Sequence, residues 1–258
     1  NAGRGTKAGG FNSAIDPNDP VEAPFFEYDP EEATQYEIGF KADLDGRGHI
    51  TGAVFRTDLT DQQLSQVVIL REGTPQQTQE TVVLNVGESE IVGFELDGAY
   101  EFTDNLTLGA SWAMADSEIT EGSDSTHGGI VGSDDLAGFK VPRVSKHSGN
   151  VMASYDFPEA GGWATNLRLD GIYSSSRYAQ VHNLQETGDR FKTNARLTLT
   201  HEDSDLQFTV WGRNVFDDDT ASNIFRYVDP GDFRFFARAH VVFMPRGRQF
   251  GVTMKKKF

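Results

Sequence analysis

The chain has 258 residues, a formal net charge of −16, no cysteine, 37% apolar residues and 11% aromatic residues. That balance excludes disulfides, a thiol nucleophile and cysteine-held metals, and it counts against a nucleic-acid partner, which needs clustered Lys and Arg. No run of about 18 apolar residues occurs, so no transmembrane helix is expected.

The first stretch, Asn1–Asn12, lacks Met and has no charged-then-apolar signal region. Either a signal has been removed or the chain is a piece of something longer. Neither alternate face of this stretch is apolar, so it reads as the upper end of a strand cut in the middle. A long connection, Ser13–Glu32, follows and carries Phe25, Phe26 and Tyr28. From there the dominant pattern has period two, the signature of a strand with one apolar face. The apolar sets begin with Tyr36, Ile38, Phe40, Ala42 and Leu44. A less clean strand places Ala53, Phe55 and Leu59 on the apolar face. A polar tip, Arg71–Gln79, joins it as the connection between two long strands. Val92, Phe94, Leu96, Tyr100 and Phe102 come next, then Leu106, Leu108, Ala110, Trp112 and Met114. Beyond the connection Ile119–Phe139 stand Val151, Ala153, Tyr155 and Phe157, then Trp163, Leu167, Leu169 and Tyr173. After Gln180–Asp189 come Phe191, Ala195, Leu197 and Leu199, then Leu206, Phe208, Val210 and Phe216. The connection Asp217–Arg248 carries Phe225, Arg226 and Tyr227, and its segment Arg234–Arg246 alternates enough to be a hairpin arm. The last strand presents Phe250, Val252, Met254 and Phe258, with Lys256 as the anomaly in that set.

The opposite faces carry charges of both signs, including Lys41, Asp43, Glu95, Asp97, Arg168, Asp170, Arg196 and Arg213. Such a face cannot line a dry core. Short Gly/Asp/Asn turns (Asp45–Gly48, Thr103–Asn105, Pro158–Gly162, Glu202–Asp205) alternate with the long connections. Up-and-down antiparallel strands with tight turns on one side and large loops on the other give this rhythm. About ten strands result, many with an apolar stretch of about 9–11 residues, enough for a tilted strand to cross a bilayer. Tyr100, Tyr155, Trp163 and Tyr173 lie toward strand ends, as interface girdles do. The predicted fold is all-β: a transmembrane antiparallel barrel, apolar outside and polar inside. A self-contained ten-stranded barrel, acting as passive pore or surface enzyme, is one alternative. A soluble carbohydrate-binding β-sandwich is the other.

Five pieces of the chain carry a family resemblance. Tyr36-Glu37-Ile38-Gly39-Phe40-Lys41 resembles a Tyr-Glu-x-Gly-x-Lys strand, and Gly93-Phe94-Glu95-Leu96 a Gly-Phe-Glu-Leu/Ala strand. Asn214-Val215-Phe216-Asp217 resembles an Asn-Leu-Phe-Asp sequence after the penultimate strand. Pro245-Arg246 followed by an alternating strand to Phe258 resembles the closing segment, and Lys7–Asn12 the approach to a large extracellular loop. In this order they are similar to the C-terminal half of TonB-dependent outer-membrane receptors. The resemblance implies that residues 1–258 are about ten C-terminal strands of a barrel of about 22. The plug, the TonB box and the N-terminal strands are then absent from this chain. It implies active uptake of a scarce siderophore-, cobalamin- or carbohydrate-like ligand across a Gram-negative outer membrane, with the C-terminus periplasmic and the long loops extracellular. Implied partners are TonB through the plug, the remaining strands, lipid and lipopolysaccharide, and the barrel-assembly machinery, which reads the terminal strand of Phe250, Val252, Met254 and Phe258.

No enzyme motif is found. Six scattered histidines show no zinc spacing, and no Gly-x-Ser-x-Gly elbow occurs, so no catalytic residue, cofactor or metal is expected. The acidic runs Gly132–Asp135 and Asp217–Asp219 do not match a calcium loop and read as exposed loops. Phe25, Phe26, Tyr28, Phe225, Arg226 and Tyr227 are candidates to face a ligand, because aromatics and arginine on long loops suit recognition. Their other reading is packing of the loops on one another.

Overall fold

The computed structural model describes residues 1–124, 128, 131–227 and 239–256. Its strands are β1 (Ala2–Lys7), β2 (Gly10–Phe11), β3 (Glu27–Tyr28), β4 (Glu31–Asp43), β5 (Gly48–Thr60), β6 (Gln63–Leu70), β7 (Thr78–Asn85) and β8 (Glu88–Thr103). They continue as β9 (Leu106–Glu121), β10 (His147–Ala160), β11 (Trp163–Ser174), β12 (Arg190–His201), β13 (Leu206–Arg213), β14 (Asn223–Tyr227), β15 (Ala239–Phe243) and β16 (Gln249–Lys256). Ten of these form one antiparallel sheet in the order β1-β4-β5-β8-β9-β10-β11-β12-β13-β16. β1 and β16 are its two edges, so the described strands form an open wall, part of a barrel and not a closed one.

Register fixes the two faces. Ile38, Val54 and Phe94 pair in line across β4, β5 and β8. Phe208 pairs with Met254, Val210 with Val252, and Gly212 with Phe250 across β13 and β16. Side chains of paired residues share a face, so one apolar face runs from β4 to β16 and stops short of β1, which has no apolar side. That face is open: Ile38 is 78% exposed and Val252 70%. Among the described residues the buried apolar side chains are Ile15, Val68, Leu70, Val82, Ile119, Leu136 and Ala179. These belong to loops, to the β6–β7 hairpin or to the loop end of β9. A sandwich would bury the apolar face of the wall; this chain leaves it bare. Its accessible surface is 15775 Å², against roughly 11,000 Å² expected of a compact soluble chain of this mass. The excess is that of a single-layer wall exposed on both faces and both edges.

One face assignment needs correction. The sequence pattern put Ala53, Phe55 and Leu59 of β5 on the apolar face. Ala53 pairs with Gly39 and Glu95, and Phe55 with Glu37 and Gly93, which places them on the polar face; Val54 is the outward residue. Gly93 makes room for the misplaced aromatic. A Cβ there would lie 2.6 Å from the Phe55 ring and 2.3 Å from the Met114 carbonyl.

β8 and β9 are 16 residues each, and β4 and β5 are 13, longer than the 9–11 a bilayer needs. The excess lies on the long-loop side. Above Tyr36 and Val92 the outward face turns charged: Arg56 contacts Asp58 at 2.9 Å and Glu90 at 2.6 Å. At the short-turn side the apolar band ends in ring pairs, Tyr100–Phe102 at 5.2 Å and Tyr155–Phe157 at 4.8 Å between centroids.

The predicted tip at Arg71–Gln79 caps more than a continuation of two long strands. Asp61 (φ 53°) and Gly87 (φ 122°) break both strands in left-handed geometry. Beyond them β6 and β7 form their own sheet.

Candidate functional site

The polar face of the wall encloses a concavity of about 1230 Å³, lined by Glu37, Lys41, Glu95, Asp97, Arg168 and Arg190 among others. A recess of about 430 Å³, lined by Arg196, Arg213, Trp211 and Thr253, shares Asp170 and Asn194 with it. The face is electrically two-sided. Glu37, Glu95 and Asp97 stand on β4 and β8. Arg168, Arg190, Lys192, Arg196 and Arg213 stand on β11 to β13. The strands between them, β9 and β10, offer neutral residues such as Ser111, Ser148 and Asn150. Arg168 is held by Asp170, two residues along the same strand, at 2.8 Å. Arg196 stands opposite Arg168 on one side and Trp211 on the other. The Arg213 guanidinium lies 5.2 Å from the Trp211 ring centre, within cation–π range, and Trp211 Nε1–H donates to Thr253 Oγ1 at 3.2 Å.

Above the wall the loops lock together. Ile15, Val68, Leu70 and Val82 form the buried cluster, with Phe25, Phe26 and Leu84 packed on it. Asn12, 8% exposed, ties the first loop to β7: its Nδ2–H donates to Phe25 O and Val83 O. Arg71 bridges the same loop to the hairpin, contacting Glu22 at 2.7 Å and Asp19. The Val21 N–H, and after it Arg71, hold the Asp19 carboxyl below the ordinary carboxylate range. At the far side Asn214 (φ 49°, 4% exposed) knots the end of β13. Its side chain accepts from Asp218 N–H at 2.9 Å and donates to Asp218 O at 2.9 Å. Burial would raise the Asp218 carboxyl, but the N–H groups of Thr220 and Phe191 hold it below its ordinary value. Asp217 accepts from Arg248 N–H at 2.7 Å. These carboxylates of the Asp217–Asp219 run thus serve the backbone, and no group of three or more metal-binding side chains occurs among the described residues.

The candidate ligand-facing residues fall in two places. Phe25 and Phe26 are half-buried on the loop cluster, with Phe26 at 5.1 Å from Phe11. Tyr28 lies over Gly10, whose Cβ would meet the tyrosine hydroxyl at 2.5 Å. Phe225 is 44% exposed on β14, opposite Val241. The backbones of Arg226 and Tyr227 pair with His240 and Ala239. No hydrogen bond or ring contact among the described residues joins the two groups. Phe250, Val252 and Met254 stand on the outward face of the wall, while Phe258 lies outside the described residues. Sequence reasoning missed Arg143 and Arg177: the Arg143 N–H donates to the Tyr178 carbonyl at 2.8 Å, next to Arg177 in the chain, and Arg190 pairs with Ser174 at the end of β11. Three separate segments supply them, so no local motif could reveal the group.

The family model described as TonB dependent receptor-like, beta-barrel, matches residues 1–215. The chain belongs to the TonB-dependent receptor β-barrel family. The siderophore receptor PiuA of Acinetobacter baumannii is 30% identical over 187 residues, 70% of this chain and 23% of its own length. The metal-pseudopaline receptor CntO of Pseudomonas aeruginosa is 30% identical over 155 residues, 59% of this chain and 18% of its own. In fold, the ferric yersiniabactin uptake receptor FyuA of Yersinia pestis matches all of this chain with a TM-score of 0.74 at 18% identity, over 34% of that chain. PiuA matches 98% with a TM-score of 0.65 at 23% identity, over 32% of that chain. The chain therefore spans about a third or less of the proteins it resembles.

Proposed function

We propose that this TonB-dependent receptor chain is a section of the wall of an outer-membrane transporter that takes up a metal chelate by active transport. The observation that carries the membrane reading is the bare apolar face, continuous across the nine strands from β4 to β16. The relatives named for siderophores and metals favour a metal chelate over a cobalamin- or carbohydrate-like ligand. In this reading residues 1–258 are the C-terminal part of the barrel. The free edges of β1 and β16 pair with further strands, because lipid tolerates no open edge. A plug fills the polar concavity, TonB moves it, and no residue of the wall makes or breaks bonds. The interlocked loops face outward from the cell, the short turns face the periplasm, and the charged belt at Arg56 and Glu90 meets lipopolysaccharide. Phe258 and the strand before it address the barrel-assembly machinery; deleting Phe258 lowers membrane insertion more than ligand binding.

The passive-pore alternative fits less well, since the ten strands do not close on themselves. Uptake of a labelled iron chelate by cells carrying the whole receptor, with and without TonB, tests the reading. Uptake only with TonB is expected. Equal uptake without TonB makes the protein a pore.

A further inference from the structure

Five arginines have no carboxylate partner among the described residues: Arg190, Arg196 and Arg213 on β12 and β13, and Arg143 and Arg177 in the connections before β10 and after β11. Of the other described arginines, Arg4, Arg47, Arg56, Arg71, Arg168 and Arg248 form ion pairs, and Arg246 does not. With a net charge of −16, the chain has no shortage of carboxylates. Those nearby are engaged. Asp170 holds Arg168 at 2.8 Å. Asp189 accepts from the Tyr173 hydroxyl at 3.1 Å and from Ser176 N–H at 2.8 Å. Glu186 stands across a backbone bridge from Tyr178 and raises its phenol above the ordinary value, and Asp218 accepts from the N–H groups of Thr220 and Phe191. Arg177 is half-buried and donates to the Ser222 carbonyl at 3.0 Å. Its guanidinium is pushed below the ordinary arginine value by burial first, then by Arg190 and Arg143. Like charges that repel one another without a counterion are costly unless something else supplies the negative charge.

Resting on the transport reading, we propose that this sector binds a multiply anionic, carboxylate-bearing ligand, which enters at Arg143, Arg177 and Arg190 and passes down to Arg213 and Arg196. Arg190 and Arg196 are six residues apart on β12, about 20 Å at 3.3 Å per residue. Arg213 stands beside Asn194 between them and lines the same recess. Guanidinium forks match carboxylates in two-point contacts, which ammonium groups cannot do. The Arg213 guanidinium lies over the Trp211 ring at 5.2 Å, which fixes where that charge stands in the recess. The acidic strands β4 and β8 across the neutral divide repel an anion toward the arginines.

The test uses the whole receptor in detergent, with quenching of tryptophan fluorescence as readout and two probes, iron(III)–citrate and a neutral iron(III)–trihydroxamate. Iron(III)–citrate binding is expected, weakened about tenfold in Arg190→Gln and again in Arg213→Gln, as for loss of one charged hydrogen bond. Arg213→Lys recovers part of it, and high salt weakens it. The neutral probe shows no such dependence. Absence of citrate binding by the folded receptor, or equal affinity in the variants, overturns the proposal. So does a lower melting temperature with unchanged affinity, which assigns the arginines to carboxylates elsewhere in the receptor. TonB-dependent uptake of the neutral probe by a receptor that ignores citrate sinks the anionic sector and keeps the transport reading. Arginine-dependent citrate binding without TonB-dependent uptake does the reverse.

Discussion

Asn12 and Val83 exchange a pair of hydrogen bonds: the side-chain Nδ2–H donates to Val83 O at 2.9 Å, and Val83 N–H donates to Asn12 Oδ1 at 2.8 Å. The amide of Asn12 imitates one peptide of a neighbouring strand. It thereby satisfies the edge of β7 and anchors the loop that carries Phe25 and Phe26. Replacing Asn12 with Ala leaves a buried N–H and carbonyl without partners, a cost of about 1–3 kcal/mol. Because the contact joins a loop to a hairpin, that loss is local. Limited proteolysis within residues 13–30 speeds up and the Val83 amide exchanges faster, while amides of β8 to β12 keep their protection.

A second prediction concerns the aromatic that faces the wrong way. A Gly93→Ala change puts a methyl against both the Phe55 ring and the Met114 carbonyl, an overpacking cost of about 1–3 kcal/mol. Phe55→Ala in the same chain relieves the ring contact and leaves the carbonyl contact. The double variant is therefore expected between wild type and Gly93→Ala in denaturant resistance, below wild type in both cases.

The two faces differ in their tolerance of charge. Val210 is on the bare apolar face, 49% exposed, and its neighbour Thr209 lines the polar recess. Val210→Arg costs about 2–4 kcal/mol at mid-bilayer depth, whereas Thr209→Arg costs little. Folding yield into lipid vesicles, read by heat-modifiable migration on a gel, separates the two. Equal yields contradict the face assignment.

Acidification loosens the loop clamp at Asp19. Its folded value lies below the ordinary carboxylate value, which is about 3.9. Its contribution to stability is therefore present above that value and is lost as pH falls through the lower folded one. Proteolysis of residues 13–30 is expected to accelerate below about pH 4. Arg71→Gln shrinks that step without abolishing it, since the Val21 N–H is the larger cause.

Much of the wall is legible in the sequence, because a single alternating face is a direct consequence of strand geometry. Residues 92–102 and 206–212 show it without ambiguity. β5 defeats the same reasoning: Ile50, Ala53, Val54, Phe55 and Leu59 put apolar side chains on both faces. The outcome there depends on Gly93 and Glu95 of a strand about 40 positions away, known only through register. The loop layer is less legible still. Asn12 meets Val83 across 71 positions, and Arg143, Arg177 and Arg190 converge from separate segments. Pairing of that kind is set by the closed loops, which carry no period.

The chain has no cysteine, so cysteines placed in it one at a time are the only labelling sites within this section of the wall. Labels at Val151, Asn150, Val210 and Thr209 in receptor reconstituted in lipid, tested against oxygen and a water-soluble nickel complex, probe the central claim. Labels at Val151 and Val210 should meet oxygen from the bilayer, and those at Asn150 and Thr209 should meet nickel from water. Loss of that alternation, or its reversal, would contradict a membrane-spanning receptor wall.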